Sequence, residues 1–351
     1  MGATAVEGRP ASQPARIDIL DVLRGFALSG MLAVNVSYHL APAQTPAGHA
    51  AHTMVELLAD GCFYPIFAFL FGVGFAMQLA RGRGFLARRL GVLLVIGLAD
   101  AVFLWWGDIL VLYALLGFPL LLLRRASDRV LTASLAVALI ASAVPWPRHD
   151  FEGGGDALER AYRSGSYLEA VAARMEFLPP FWASQDQLPA HVFALFLLGL
   201  ISHRRGLFAH GAPARPIVRR VLACGLILAV SGGAAVALGV KPPLRDAVKA
   251  IARPAMAAVY CSGLALLYAR RPTWVGWMRY AGRMALTNYL LQSLVLATVF
   301  YAYGFGQFRK MEPAAALALA LAVFLAQTAL SAWWLKRFRI GPAEWVWRRF
   351  T

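Results

Sequence analysis

The stretch FYPIFAFLFGVGFAMQLARGRGFLARRLGVLLVIGLADAVFLWWGD, residues 63–108, decides the fold. Two apolar runs flank a connector that carries Arg81, Arg83, Arg88 and Arg89, and the second run closes on a Trp-Gly-Asp turn without a basic residue. Lys and Arg resist translocation across a bilayer, so the connector marks the cytoplasmic side and the turn marks the far side. Outward from this stretch the alternation continues to both ends of the chain. Ten apolar stretches separate eleven polar pieces; one alternate set of pieces carries 24 Lys and Arg, the other ten. The pattern predicts an all-α polytopic membrane protein of about ten transmembrane helices, with both termini in the cytoplasm.

Composition agrees. The chain has 351 residues, of which 60% are hydrophobic, and its mean hydropathy is +0.60. A hydrocarbon layer of about 30 Å takes about 20 apolar residues per helix. Helices are the economical solution, because lipid offers backbone N–H and C=O groups no partner and no barrel-like alternation is present. The expected spans are 22–40, 61–80, 86–106, 108–123, 130–147, 188–202, 217–240, 249–269, 283–303 and 313–335. Residues 1–15 read as a disordered tail, since no basic region followed by a cleavage site is present. Two five-span halves, 16–147 and 188–351, flank an extracytoplasmic insert at 148–187. That insert combines a triple glycine with a run suited to an amphipathic helix over 156–177 and ends at Pro179-Pro180. On this orientation it could cover an outward-facing cavity. No convincing sequence echo relates the two halves.

The net charge of +16 would suggest nucleic acid if taken alone. Divided by side, the inner pieces hold +19 and the outer pieces −2, with Asp100 inside a span. The charge is therefore an orientation signal and an attraction to anionic inner-leaflet lipid, and nucleic acid is not expected as a partner. Cys62, Cys224 and Cys261 lack metal-type spacing and read as small buried residues. Gly72, Ala76 and Ala80, and again Gly225, Ala229 and Gly233, recur every four positions and predict flat faces for close helix packing. No phosphate-binding loop, dinucleotide fingerprint, paired-Cys motif or nucleophile elbow is present, and no metal or bound cofactor is expected.

Several blocks resemble the YeiB-like bacterial membrane proteins, a family classed as a domain of unknown function. They are LDVLRGFALSGMLAVNV at 20–36, FYPIFAFLFGVGFAMQ at 63–78 and WGDILVLYALLG at 106–117. GRMALTNYLLQ at 282–292 and RFRIGPAEWVWRRFT at 337–351 complete the set. The N-terminal half of that family is similar to transmembrane acyltransferases, including those that acetylate glucosamine ends of glycans. The resemblance implies a multi-pass protein of the bacterial cytoplasmic (inner) membrane. Its implied activity moves an acyl group, such as acetyl, from cytosolic acyl-CoA to a cell-envelope or small-molecule acceptor on the outer side. One departure stands out: family members often carry His on the third span, where this chain has Asp100. A mechanism requiring imidazole there would not transfer.

Ionisable groups inside a span cost about 2.5–3.5 kcal/mol each on insertion scales, so each asks for a reason. On the expected orientation they gather at two ends. Outermost are Asn35, His39, Asp60, Asp100, Asp108 and His191, with His49, His52 and Glu56 in the first outer loop. Asn35 and His39 are four apart and share one helix face. His39 reads either as a general base oriented by Asp60 or Asp100, or as an interfacial histidine. The resemblance makes His52 a second candidate, because in the glycan-acetylating relatives a histidine ahead of the second span is central; the alternative is that His49 and His52 are incidental histidines of a low-complexity Pro- and Ala-rich loop. Asp100 reads as a functional polar group or as a buried hydrogen-bonding one, and Asp108 as a motif residue or a helix N-cap. Toward the inner side lie Asp18, Asp21, Arg24, Arg283, Asn288 and Gln292. Asp21 and Arg24 can pair. Arg24 with Arg283 could hold the phosphates of a CoA-like donor, against the alternative that all inner loops are basic for topology. Asn288 and Gln292 suit interhelical hydrogen bonds or a cavity lining equally. Besides acyl transfer, two further functions are compatible: a small-solute transporter or exporter coupled through Asp100, and a structural membrane protein, either one monomeric or homo-oligomeric.

Overall fold

In the computed structural model, residues 18–143, 155–185, 187–208, 215–241 and 244–351 are described. The expected tail at 1–15, the last residues of the expected fifth span and the start of the insert at 148–154 lie outside them. The described chain is all helical. In order, the helices are α1 (Asp18–Ser37), α2 (Pro46–Leu58), α3 (Tyr64–Ala76), α4 (Arg83–Phe103), α5 (Leu110–Leu122) and α6 (Asp128–Ala143). After them come α7 (Gly155–Ser164), α8 (Tyr167–Ala183), α9 (Leu188–Arg204), α10 (Arg215–Ala237) and α11 (Leu244–Arg270). The short α12 (Pro272–Val275) and α13 (Arg279–Arg283) lead into α14 (Ala285–Phe300), α15 (Pro313–Arg337) and α16 (Pro342–Arg349).

Among the described residues, four helices are long and apolar enough to cross a membrane on length and composition: Asp18–Ser37, Arg215–Val236, Ala247–Arg270 and Pro313–Arg337. The expected second span is shorter than the sequence suggests. Its helix α3 has 13 residues, which at 1.5 Å per residue is about 20 Å. The expected first span also shifts: α1 starts at Asp18 and ends at Ser37, leaving His39 just beyond it. In the ninth, Met284 breaks the helix, so Arg283 belongs to α13 and the long helix begins at Ala285.

Helix α1 is the hub. It packs on α3, α11, α13, α14 and α15, and its apolar side chains Leu28 and Leu32 are fully buried. The tightest approach is at α13, where Gly25 faces the Met278 carbonyl and Gly282 faces that of Asp21, with no room for a Cβ. The face expected at Gly72 is real in part. Gly72 meets the α9 backbone at Phe196, and Gly199 answers from α9 against Phe69. Ala80, however, falls beyond α3 and is exposed. On α10 the face runs through Gly225, Ala229 and Gly232, not Gly233: Gly232 approaches Ala252 on α11, while Gly233 meets open space. That is the i, i+4, i+7 stripe of a helix and not a strict period of four. Helices α10 and α11 pack chiefly on each other, and Ile227 and Val230 stand exposed, as suits a hairpin facing lipid. Cys62 is buried and Cys224 exposed, which corrects the expectation that all three cysteines are buried.

The Pro- and Ala-rich segment before Asp60, expected as a loop, is helix α2. Thr45 caps it by accepting the Gly48 amide at 3.0 Å, and Pro46 fills the first turn, where a missing N–H costs nothing. The insert forms two helices. Gly165 and Ser166 separate them, and Ser166 with Glu169 makes a reciprocal capping box at the start of α8, the arrangement that satisfies two otherwise orphaned amides. Helix α8 runs through Pro179-Pro180 to Ala183 and does not stop there. Leu158, Tyr162, Ala173 and Phe177 of this pair join the same core as Trp105, Phe300 and Tyr301.

Candidate functional site

Asn35 and His39 do meet across one helical turn. His39 Nδ1 lies 3.0 Å from the Asn35 carbonyl and Nε2 lies 3.3 Å from the Tyr301 hydroxyl. A carbonyl only accepts, so Nδ1 carries the proton, and the Tyr301 hydroxyl then donates to Nε2. The imidazole is fully buried. Its ring lies 4.6 Å from Trp105, 4.8 Å from Phe300 and 5.6 Å from Tyr301. Neither Asp60 nor Asp100 orients it, contrary to expectation; Tyr301 occupies that role. Tyr301 is itself stacked on Tyr162 of the insert at 3.7 Å. The insert thus closes over His39, and Arg174 of α8 fastens it by donating to the carbonyls of Val102, Phe103 and Leu104 at 2.7, 3.0 and 3.4 Å. Those are end carbonyls of α4, which have no acceptor role left inside the helix.

Asp100 and Asp108 are buried beside one helix, α14. Ser293 donates to Asp100 Oδ2 at 3.0 Å, and Tyr289 donates to Asp108 Oδ1 at 3.2 Å. Asp108 Oδ2 also accepts the Val111 amide at 2.8 Å, the capping role open to it from sequence. Asp100 Oδ1 is buried without a hydrogen-bond partner among the described residues.

Asp60 stands apart from both. It pairs with Arg253 of α11, and each side chain is a little over one-third exposed. The field of this guanidinium reaches Tyr38, Cys62, Tyr64 and His191, and the His191 ring packs edge-on to Tyr64 at 5.9 Å. The outer group expected from sequence is therefore divided in three; among the described residues the Asp60–Arg253 pair is partly exposed, while His39, Asp100 and Asp108 are buried. His49 and His52 are exposed on α2. Arg253, Tyr301, Tyr289, Ser293 and Arg174 were not singled out from sequence. Arg253 could have been, since it lies inside the expected eighth span, where a charge asks for a partner.

At the opposite end of α1, Arg24 pairs with Asp21 at 2.8 Å. It does not join Arg283. Arg283 lines a cleft of about 440 Å³ with Asp18, Arg279, Tyr280, Ala332, Leu335 and Lys336. Arg279 donates to the Tyr280 hydroxyl at 3.2 Å. Asn288 and Gln292 serve as interhelical bonds. Asn288 Nδ2 donates to Ser331 Oγ at 2.9 Å, and Gln292 Nε2 donates to Gln327 Oε1 at 3.1 Å and to the Leu28 carbonyl at 3.4 Å. The two C-terminal sequence blocks dock on one another. Glu344 of α16 accepts the Leu286 and Thr287 amides at 2.8 and 3.2 Å, capping α14. Trp347 donates to the Arg89 carbonyl at 2.8 Å.

Comparison with known proteins divides along the same line. Residues 16–144 match the profile described as heparan-alpha-glucosaminide N-acetyltransferase, catalytic. Residues 202–351 match the profile described as protein of unknown function (DUF418). Over almost the whole chain, similarity extends to the uncharacterized protein YxaH of Bacillus subtilis (strain 168), 30% identical over 98% of this chain and 96% of the relative. The uncharacterized protein YeiB of Escherichia coli (strain K12) is 29% identical over 95% of each. An uncharacterized 39.9 kDa protein of Bacillus acidopullulyticus is 28% identical over 97% of this chain and 95% of the relative.

Proposed function

Since the chain belongs to the YeiB-like DUF418 family, a family of apolar helical membrane proteins, we propose that it is a transmembrane acyltransferase of the bacterial cytoplasmic membrane. On this reading the chain crosses the membrane ten times with both ends inside. An acyl group, such as acetyl, leaves cytosolic acyl-CoA and reaches a hydroxyl or amine of a cell-envelope sugar or small metabolite outside. The observation that carries the reading is the match of residues 16–144 to an N-acetyltransferase catalytic profile. That region holds Asn35, His39, Asp60, Asp100 and Asp108.

The reaction breaks the thioester C–S bond and forms an acyl–oxygen or acyl–nitrogen bond. The acceptor's proton passes to a base and the CoA thiol departs as the leaving group. The half-exposed Asp60–Arg253 pair is the natural seat for a polar acceptor, with Tyr38, Tyr64 and His191 around it. His191 is our general base, an imidazole being suited to proton transfer near neutral pH. His39 and Asn35 hold the end of α1 in position, because both His39 nitrogens are already engaged. Leu28, Leu32 and the Gln292–Gln327 pair fill the interior between the two ends of α1, so delivery requires these helices to part.

Purified protein given labelled acetyl-CoA and candidate acceptors is the direct test. Label transfer that falls at least a hundredfold in His191→Asn supports the reading. It fails if CoA does not bind, or if His191→Asn transfers label at the unsubstituted rate. One observation favours a second reading, solute transport: the buried, unpartnered Oδ1 of Asp100 beside Asp108, as a coupling site would present. Flux into liposomes that follows a pH gradient and is lost in Asp100→Asn would replace acyl transfer with transport.

A further inference from the structure

Around the start of α4 the fold gathers guanidinium groups from three elements. Arg89 of α4 is half-buried, with its guanidinium 3.5 Å over the Trp347 ring of α16. The positive fields of Arg348, Arg81 and Arg24 all fall on it. Arg24 is answered by Asp21. Arg81, in the turn Leu79–Arg81, lies over the Phe85 ring at 5.1 Å, and Arg348 is exposed on α16. Among the described residues no carboxylate pairs with Arg81, Arg89 or Arg348. Glu344, the acid of α16, is engaged with the Leu286 and Thr287 amides of α14. Like charges held close repel unless an anion joins them. Stacking on an indole occupies the face of a guanidinium and leaves its edge N–H groups for a phosphate's oxygens.

We propose that Arg81, Arg89 and Arg348 seat the headgroup phosphate of an anionic phospholipid from the cytoplasmic leaflet. The surface beside them selects a lipid over a soluble phosphate. On α16, Trp345, Val346 and Phe350 are exposed and interleave with the basic pair Arg348 and Arg349. A helix that shows aromatic and basic residues together has the composition of one lying at a membrane–water boundary. A soluble phosphate satisfies the arginines and leaves those apolar side chains in water. Further along the two helices that α16 joins, Val95 and Leu98 of α4 and Leu291 and Leu294 of α14 are exposed as well, an apolar surface for acyl chains. A zwitterionic lipid brings no net charge to the cluster, so the headgroup must be anionic. Its place is also a joint. Trp347 ties α16 to the Arg89 carbonyl and Glu344 ties it to α14. A bound lipid therefore braces the region matching the acetyltransferase profile against the region of unknown function. The proposal does not rest on acyl transfer.

The test uses the full chain in detergent, titrated with phosphatidylglycerol and with phosphatidylcholine of the same acyl chains, with bound lipid counted by native mass spectrometry. Phosphatidylglycerol is expected to bind at least about fivefold more tightly, and R81Q/R348Q should erase that preference. R88Q/R349Q removes the same charge from exposed neighbours outside the cluster and should keep the preference within about twofold of the unsubstituted chain. Phosphatidylcholine should bind both variants as it binds the unsubstituted chain, which a misfolded protein would not show. Coenzyme A, added as the soluble phosphate probe, should leave the bound phosphatidylglycerol in place. The proposal is overturned if phosphatidylglycerol is not preferred, or if the two double variants lose the preference equally, as a diffuse attraction to charge requires. Displacement of the lipid by coenzyme A overturns it too, and assigns the cluster to a soluble phosphate.

Discussion

At position 39 an imidazole sits among aromatic rings and commits both nitrogens, one to the last turn of the preceding helix α1 and one to a residue 262 positions away. Its first partner was legible, because residues four apart on a helix meet. Tyr301 was not: the sequence contains nothing that ties two segments at the far ends of the chain. The same holds for Asp60, whose partner Arg253 lies 193 positions away inside the expected eighth span, where its charge asks for a partner but does not name one. These surroundings give His39 and His52 opposite expectations. His39→Ala leaves a void against Trp105 and Phe300 and deprives the Tyr301 hydroxyl of its acceptor. A cavity together with a lost buried hydrogen bond costs about 3 kcal/mol, so the melting temperature in detergent should drop by several degrees. His52→Ala, on the exposed face of α2, should stay within about 0.5 kcal/mol. Equal melting temperatures for the two variants would contradict the buried aromatic enclosure.

Helices were easier to read from sequence than their ends. The long apolar runs emerged as helices because their composition leaves lipid or core as the only destinations. Breaks and caps depend on side chains arriving from elsewhere. Arg174 ends α4 from within the insert, and Glu344 starts α14 from the last helix; neither contact has a local signature. Arg174→Met keeps the stem but strips three donors from partly buried carbonyls, and about 2 kcal/mol should be lost. Hydrogen exchange over 155–183 should quicken before that of α1, since the insert loses its fastening first. Glu312 makes a comparable tie at the surface. Its carboxylate accepts the Gln44 and Thr45 amides at 3.0 and 2.8 Å as well as the Thr45 hydroxyl. Those bonds favour the charged form and hold its pKa below the usual 4.5. A carboxyl depressed on folding stabilises above its unfolded pKa and gives that stability up as pH falls toward the folded one. Acidification from about pH 5 downward should therefore loosen the segment 41–48, and Glu312→Gln should remove that component of the pH dependence. Proteolysis within 41–48, followed against pH in both proteins, measures it.

On the scale of the whole molecule, the distribution of charge carries the most information, and it also exposes what sequence could not resolve. The 24 to ten division of Lys and Arg assigns each polar residue to an end of a helix. The structure does not sort those residues into two end groups. Asp100 and Asp108 bond Ser293 and Tyr289 on the same stretch of α14 as Asn288 and Gln292, Gln292 reaches Leu28 midway along α1, and Arg24 pairs with Asp21. Periodicity gives the end and the face of a helix, while the packing of α11, α14 and the insert against α1 decides which neighbours actually touch. The orientation itself is open to a direct experiment. If Lys and Arg set it, a reporter that matures only in the cytoplasm should be active when fused after Gly84, Ala126 or Arg205. An exported reporter should be active when inserted at Gly48 or within α7. The charge argument then predicts a further response. Removing Arg81, Arg83, Arg88 and Arg89 together erases the bias around the third span, and the reporters flanking that hairpin should give mixed signals. Fusions beyond residue 270 should keep their side, because five basic residues from Lys336 onward, at and after the end of α15, hold the C-terminal end inside. A uniform inversion of all reporters would mean that the first connector alone orients the chain. No change at any position would mean that the basic residues do not set the topology.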